Sequence, residues 1–124
     1  MANVINWFEI PAANFDRAVK FYNHVLAAEL TPFDNEARGL KMGFFPTERG
    51  VVGGCVTHGK GYKPSADGAL VYLNGGDDLS VPLSRVEKAG GKVVTPKTKL
   101  SDEVGYIAIF IDTEGNRVAL HSMK

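Results

Sequence analysis

The chain has 124 residues, of which 44% are hydrophobic and 23% charged, a balance that fits one compact globular domain. Its 14 basic and 14 acidic residues cancel without any run of like charge, which argues against a nucleic-acid or anionic-membrane partner. No apolar stretch reaches the roughly 20 residues of a membrane helix, MANVINWFEIP lacks the segments of a signal peptide, and the single Cys55 fits a reducing compartment, so the expectation is a cytoplasmic protein.

In chain order, NVINWFEI (3–10) reads as a strand ended by Pro11. Asn14 suits a helix N-cap, because its side-chain oxygen can accept from the free amides of a first turn. Phe15, Val19, Tyr22 and Leu26 then recur at helical spacing on one face. Leu30 to Pro32 leaves the helix. LKMGFF (40–45) and VVGGCVT (51–57) read as two strands, and HGKGYKPSADG (58–68) as a Gly- and Pro-rich connector. ALVYLN (69–74) is strand-like. Asp78 or Ser80 can cap a second helix with Leu79, Leu83 and Val86 on its apolar face and Gly90-Gly91 as its stop. KVVTP (92–96), YIAIFI (106–111) and NRVALHS (116–122) supply three more strands.

The chain repeats itself. FFPTE (44–48) reappears as FIDTE (110–114), and AELTP (28–32) as KVVTP (92–96). At the offset of the first match, Gly39 falls on Gly105, Phe44 on Phe110, Gly53 on Ala119 and Cys55 on His121. Each copy is a strand, a helix and about three strands. The expected fold is therefore α+β, with two tandem β-α-β-β-β units forming a curved mixed sheet around a cleft. The whole of 1–124 would be a single domain with pseudo-repeats at about 1–58 and 68–124.

A doubled unit of this kind resembles the vicinal-oxygen-chelate superfamily, which includes glyoxalase I, extradiol dioxygenases and bleomycin-resistance proteins. The resemblance rests on Trp7-Phe8-Glu9-Ile10-Pro11, Arg17-Ala18 and Phe21-Tyr22, Gly76-Asp77-Asp78-Leu79, and the closing Asp112-Thr113-Glu114-Gly115-Asn116-Arg117. It covers almost the whole chain and implies a homodimer. In metal enzymes of the superfamily the ligands come from the first and fourth strand of each unit. Here those positions fall on Trp7, Gly53, Leu70 (or Val71, one residue along) and Ala119. None of these side chains has a lone pair for a divalent cation, and a catalytic site needs about three such ligands. The resemblance thus leads to an expectation of no metal and no cofactor in the usual place, and argues against metal-dependent glyoxalase or dioxygenase activity.

Alternation along the strands places Glu9 beside Trp7, Cys55 beside Gly53, Tyr72 beside Leu70 and His121 beside Ala119. Trp7, Glu9, Gly53, Cys55, Leu70, Tyr72, Ala119 and His121 are the candidate ligand pocket, with Phe44, Tyr106 and Phe110 as further aromatic walls. The same residues also fit a packed core. Three functions follow as expectations: a metal-free binding protein for a planar or apolar small molecule; a lyase, isomerase or epimerase using Glu9 and His121 as acid and base, with or without a displaced metal; and a structural or regulatory homodimer. His24 and His58 read as solvent-facing and connector residues.

Overall fold

The computed structural model describes residues 3–124. The first unit comprises β1 (Trp7–Pro11), α1 (Phe15–Leu26), β2 (Thr31–Asn35), a 3-10 turn (Glu36–Arg38), β3 (Leu40–Phe44) and β4 (Gly53–His58). The second comprises β5 (Val71–Asn74), α2 (Ser80–Leu83), β6 (Lys92–Ser101), β7 (Gly105–Ile111) and β8 (Arg117–Ser122). Each unit makes one four-stranded mixed sheet, ordered β1-β4-β3-β2 and β5-β8-β7-β6. In each, the first strand runs parallel to the last and the other neighbours are antiparallel. The doubled α+β architecture is as the sequence indicates, laid out as two sheets that do not close.

Helix α1 is capped as expected: the Asn14 side chain accepts from the Arg17 amide at 3.1 Å. At its other end Ala27 takes a left-handed conformation, φ 49°, and its N–H meets the last helical carbonyls. Its buried face is wider than the sequence stripe. Ala18, Phe21, Tyr22 and Val25 are fully covered, while Phe15, Val19 and Leu26 are partly so. The cause is a partner on each side. Tyr22 meets Phe45, just past β3, edge-on at 5.5 Å, and Phe21 lies 5.8 Å from Phe110 of β7. Such aromatic pairs contribute about 0.5–1.5 kcal/mol each beyond area burial. One hydrophobic core therefore takes side chains from both units, including Ile10, Val56, Leu73, Val118 and Leu120.

A polar seam reinforces this core. The turn between β7 and β8 is clamped against the β1–α1 corner. Asp112 accepts from the Tyr22 hydroxyl at 2.7 Å, from Asn116 Nδ2 at 3.0 Å, and from the amides of Glu114 and Asn116, each at 2.9 Å. Asn116 Nδ2 also donates to the Pro11 carbonyl at 2.7 Å. The fully covered Glu114 carboxylate accepts from the Asn14 amide at 2.7 Å and from two nitrogens of the half-exposed Arg17 at 2.7 and 3.1 Å. Burial pushes the Glu114 carboxyl up, but hydrogen bonds from Arg17, Asn14 and Thr113 outweigh it and hold it below its ordinary value. Burial, followed by Asp112, raises Tyr22 well above the usual phenol. Asp112, Glu114 and Asn116 thus join the halves within one chain.

Several elements depart from the sequence reading. β1 starts at Trp7, leaving 3–6 outside the strand. β2 contains Pro32, which is tolerated because β2 is an edge strand and needs no ladder donor there. The second helix shortens to Ser80–Leu83, and the chain continues as irregular turns to Gly90. Pro82 supplies no N–H, and bonds such as Val81 to Asp78 and Arg85 to Pro82 span three residues rather than four. Asp78 Oδ1 accepts from the Ser80 amide at 2.9 Å without an N-cap geometry. Among the described residues, no helix is long and apolar enough to cross a membrane.

Candidate functional site

Strand pairing settles which side chains face which way. Phe8, Ile10, Val56, Leu73, Val118 and Leu120 belong to the core under the helices. Their neighbours Trp7, Glu9, Gly53, Cys55, Tyr72, Asn74, Ala119 and His121 therefore occupy the opposite faces of the two sheets. Trp7 is paired with Gly53 and Glu9 with Cys55 across β1 and β4. In the second unit Tyr72 is paired with Ala119 and Asn74 with His121. The counterpart of Trp7 is thus Tyr72, two residues beyond the Leu70 expected from sequence. Leu70 precedes β5 and packs instead on Ile107, Ile109 and Ala119.

The repeated aromatics are also corrected. Phe44 is paired with Cys55 and touches Trp7, whereas Phe110 is paired with Val118 and is fully buried against α1. Their surroundings are therefore on opposite sides of their sheets. The loop joining β3 to β4 is three residues longer than the turn joining β7 to β8, and this odd slip puts the matched FFPTE and FIDTE phenylalanines on opposite faces. Tyr106 likewise joins the core side rather than a pocket wall, with Lys97 Nζ 4.7 Å from its ring centre.

The most distinctive chemistry lies on the first sheet. A Cβ placed on Gly53 would come within 3.2 Å of Trp7 Cζ3, so the indole takes the room that a side chain would fill. Trp7 meets Phe44 edge-on at 5.9 Å, and Phe44 lies 5.9 Å from Phe33 of β2. Trp7 and Phe33 are 47% and 49% exposed, which leaves a half-open aromatic stripe. The Trp7 indole N–H donates to Glu9 Oε2 at 3.3 Å. Below it, the fully buried Cys55 thiol lies 3.8 Å from the same oxygen and 3.1 Å from Thr57 Oγ1. Burial pushes this thiol up to about 11, with Glu9 adding to the rise against the opposing Thr57 bond. Cys55 is therefore a neutral donor at neutral pH and no thiolate nucleophile.

The remaining candidates are distributed elsewhere. His121 Nε2 meets the Val104 carbonyl, and the residue lines a pocket of about 420 Å³ with Tyr72, Asn74 and Met123. Gly53, Leu70 and Tyr72 line a larger groove of about 1220 Å³ between the units. Trp7, Glu9, Cys55 and Ala119 line neither. Ala119, a candidate pocket residue, is covered by Ile107 and Ile109. Among the described residues, no three His, Cys, Asp or Glu side chains converge as a metal-ligand group. His58 Nδ1 bonds the Ala12 carbonyl at 2.8 Å, which makes it a tie between strand ends rather than a free loop residue. Phe33 and Thr57 were not singled out in the sequence. Alternation from Cys55 gives Thr57; Phe33 needed β2 to be recognised as a strand.

The sequence and the fold have parallels among known proteins. A glyoxylase-like domain-containing protein from Didymella fabae is 31% identical over 117 residues, which cover 94% of this chain and 91% of that protein. A glyoxalase/bleomycin resistance protein from Albidiferax ferrireducens superposes with a TM-score of 0.71 at 14% identity, covering 95% of this chain and 98% of the other. An antibiotic binding protein from Streptomyces sp. CB03234 superposes with a TM-score of 0.67 at 20% identity and covers 98% of both chains. A glyoxalase I variant from Zea mays gives 0.70 at 19% identity over 95% of this chain, which spans only 45% of the maize chain. The family model described as Glyoxalase/Bleomycin resistance protein/Dioxygenase superfamily matches residues 4–120. With its doubled strand order and its matched sequence together, the chain belongs to that superfamily.

Proposed function

We propose that this chain is a binding protein for a planar, largely apolar small molecule, with no metal in the family's usual place. The observation that carries the reading is the indole of Trp7 lying over Gly53 and against Phe44, at positions where the family resemblance puts metal donors. With Tyr72 and Ala119 as the paired counterparts, the four positions offer one phenol oxygen and no imidazole or carboxylate. A catalytic divalent site needs about three such protein ligands. Half-exposed aromatic rings instead suit offset stacking with a flat ligand. Glu9 beside them suits a ligand carrying a hydrogen-bond donor.

The structural neighbour from Streptomyces, an antibiotic binding protein by description, shows that this fold accommodates such a function. A lyase, isomerase or epimerase using Glu9 and His121 has less support. Glu9 is engaged by Trp7 and Cys55, while His121 is held by Val104 and borders a separate pocket. The same reading takes the chain as one domain of two pseudo-repeats that pairs as a homodimer in a reducing cytoplasm.

Metal analysis of the purified protein, together with titration of Trp7 emission by a panel of planar aromatics, tests the proposal. The expected result is no stoichiometric Zn, Ni, Mn or Fe, and saturable quenching by at least one compound. A stoichiometric metal lost with a measured activity in Glu9→Gln or His121→Ala would overturn it.

A further inference from the structure

The rings of the aromatic stripe share their face with one charge. Across β1, β4, β3 and β2, the positions that alternate with the core give this face a single charged side chain, Glu9. Glu9 and Phe44 are both paired with Cys55, one from each side. Two strand spacings, about 10 Å, therefore separate their backbones, with the small thiol between them. The Trp7 ring stands at 62° to Phe44, and Phe33 at 31° to it. The rings form a corner rather than a flat wall.

Glu9 is half-buried and has no counter-ion. Among the described residues the ion pairs are Arg17 with Glu114, Lys97 with Asp78 and Lys99 with Asp102. Glu9 Oε2 accepts from the Trp7 indole N–H at 3.3 Å and lies 3.8 Å from the Cys55 thiol, while among the described residues Oε1 accepts no bond. Both neighbours are neutral, so the carboxylate charge stands uncompensated beside the negative faces of the rings. A cation is attracted by both at once. A neutral ligand covering Glu9 would strip its water and return no charge, and an anion would be repelled as well. The matching row of the second sheet pairs Asn74 with His121 and offers no carboxylate.

We propose that the stripe selects a planar aromatic cation, of the class of a protonated aminoquinoline, with its ring against Trp7 and Phe44 and its N–H groups towards Glu9. This rests on the planar-ligand reading above and adds the charge of the ligand to it.

Trp7 is the only tryptophan, so its indole N–H gives one resonance, and an NMR titration followed there reports binding at the stripe. 4-Aminoquinoline, protonated at neutral pH, is compared with 1-naphthylamine, which has the same shape and no charge, and with 1-naphthoate. The cation is expected to bind at least tenfold more tightly than 1-naphthylamine, with 1-naphthoate weakest. Glu9→Gln should shrink the preference to within about threefold. Raising the salt from about 0.05 M to about 0.5 M should also narrow it, by screening the cation from Glu9, and needs no variant should Glu9→Gln misfold. The proposal is overturned if 1-naphthylamine binds as tightly as the cation, if folded Glu9→Gln keeps the preference, or if added salt leaves it unchanged. The planar-ligand reading survives each of those results. If none of the three compounds moves the Trp7 resonance, both fall together.

Discussion

Trp7 and Gly53 face each other across parallel strands β1 and β4, and the indole lies over the glycine where a side chain would otherwise stand. Gly53→Val would thrust methyl groups at Trp7 Cζ3, 3.2 Å from the new Cβ, and at Thr47 Cγ2, 3.3 Å away. The indole must move, so its emission should shift and its affinity for a planar ligand fall by about tenfold, roughly 1.4 kcal/mol. Fluorescence titration of the variant checks this. Unchanged affinity would remove the stripe from the binding site.

Gly54 supports the core in the same way. A Cβ there would lie 2.3–2.5 Å from three atoms of the Phe8 ring, so Phe8 must leave its wall against Phe45. Gly54→Ala should cost about 1–3 kcal/mol by overpacking. Gly43→Ala, whose nearest contacts are side-chain atoms at 3.2–3.5 Å, should cost less. Urea denaturation of the two variants ranks them, and equal stabilities would contradict the packing.

Tyr22→Phe removes one donor from Asp112 and keeps the ring. The expected loss is about 1–3 kcal/mol, because the hydrogen bond reaches a buried charged acceptor. Asp112→Ala should cost more, since it also strips partners from Asn116 and the Glu114 amide. Thermal unfolding at neutral pH distinguishes the two.

Acid should loosen the seam at Glu114 and the second unit at Asp78. Glu114 and Asp78 both sit below their ordinary values, Asp78 at about 2 through Lys97 and then the Ser80 amide. A carboxyl whose folded value is depressed stabilises the fold above its unfolded value, near 4, and that contribution fades as pH falls towards the folded value. Stability should therefore be flat between neutral pH and about 5 and then decline. Glu114→Gln should lower the plateau and shallow the decline. A parallel displacement of the whole curve would show that Glu114 contributes nothing through its charge.

Alkali acts through Cys55. Its folded value of about 11 lies above the ordinary thiol near 8.5–9. The neutral thiol is favoured in the fold, so this contribution is complete below about 8.5 and is lost as pH rises towards 11. Cys55 should also resist a thiol reagent at pH 8 until the protein is unfolded, measured by thiol titration with and without denaturant.

The doubled architecture was legible because its signals are local. Asn14, the helical stripe and the alternating strands each mark an element without needing the others, whereas Gly90-Gly91 overstates the second helix, which ends at Leu83. Pairing partners were not legible, because they depend on loop length. The loop after Phe44 is three residues longer than the turn after Ile111, and this odd difference sends Phe44 to the face with Trp7 and Phe110 into the core. The same sensitivity moved the counterpart of Trp7 from Leu70 to Tyr72. Two residues of slip preserve the face and change the neighbour. The candidate site was read in part: Trp7 with Glu9 and Cys55 follows from alternation. The separation of His121 from Glu9 follows from which sheet each belongs to, and no single strand records that.

The bonds that hold the units together run from Pro11, Asn14, Arg17 and Tyr22 to Asp112, Glu114 and Asn116, and from Val25 to Arg85. The connector between Gly61 and Gly68 adds one bond of its own, from the Ser65 amide to Asn116 Oδ1 at 3.1 Å, and the others do not run through it. Backbone continuity there is then a matter of stoichiometry more than of architecture. Two separately translated fragments, divided before Ser65 so that its bond to Asn116 is kept, should find one another and complement into the same fold.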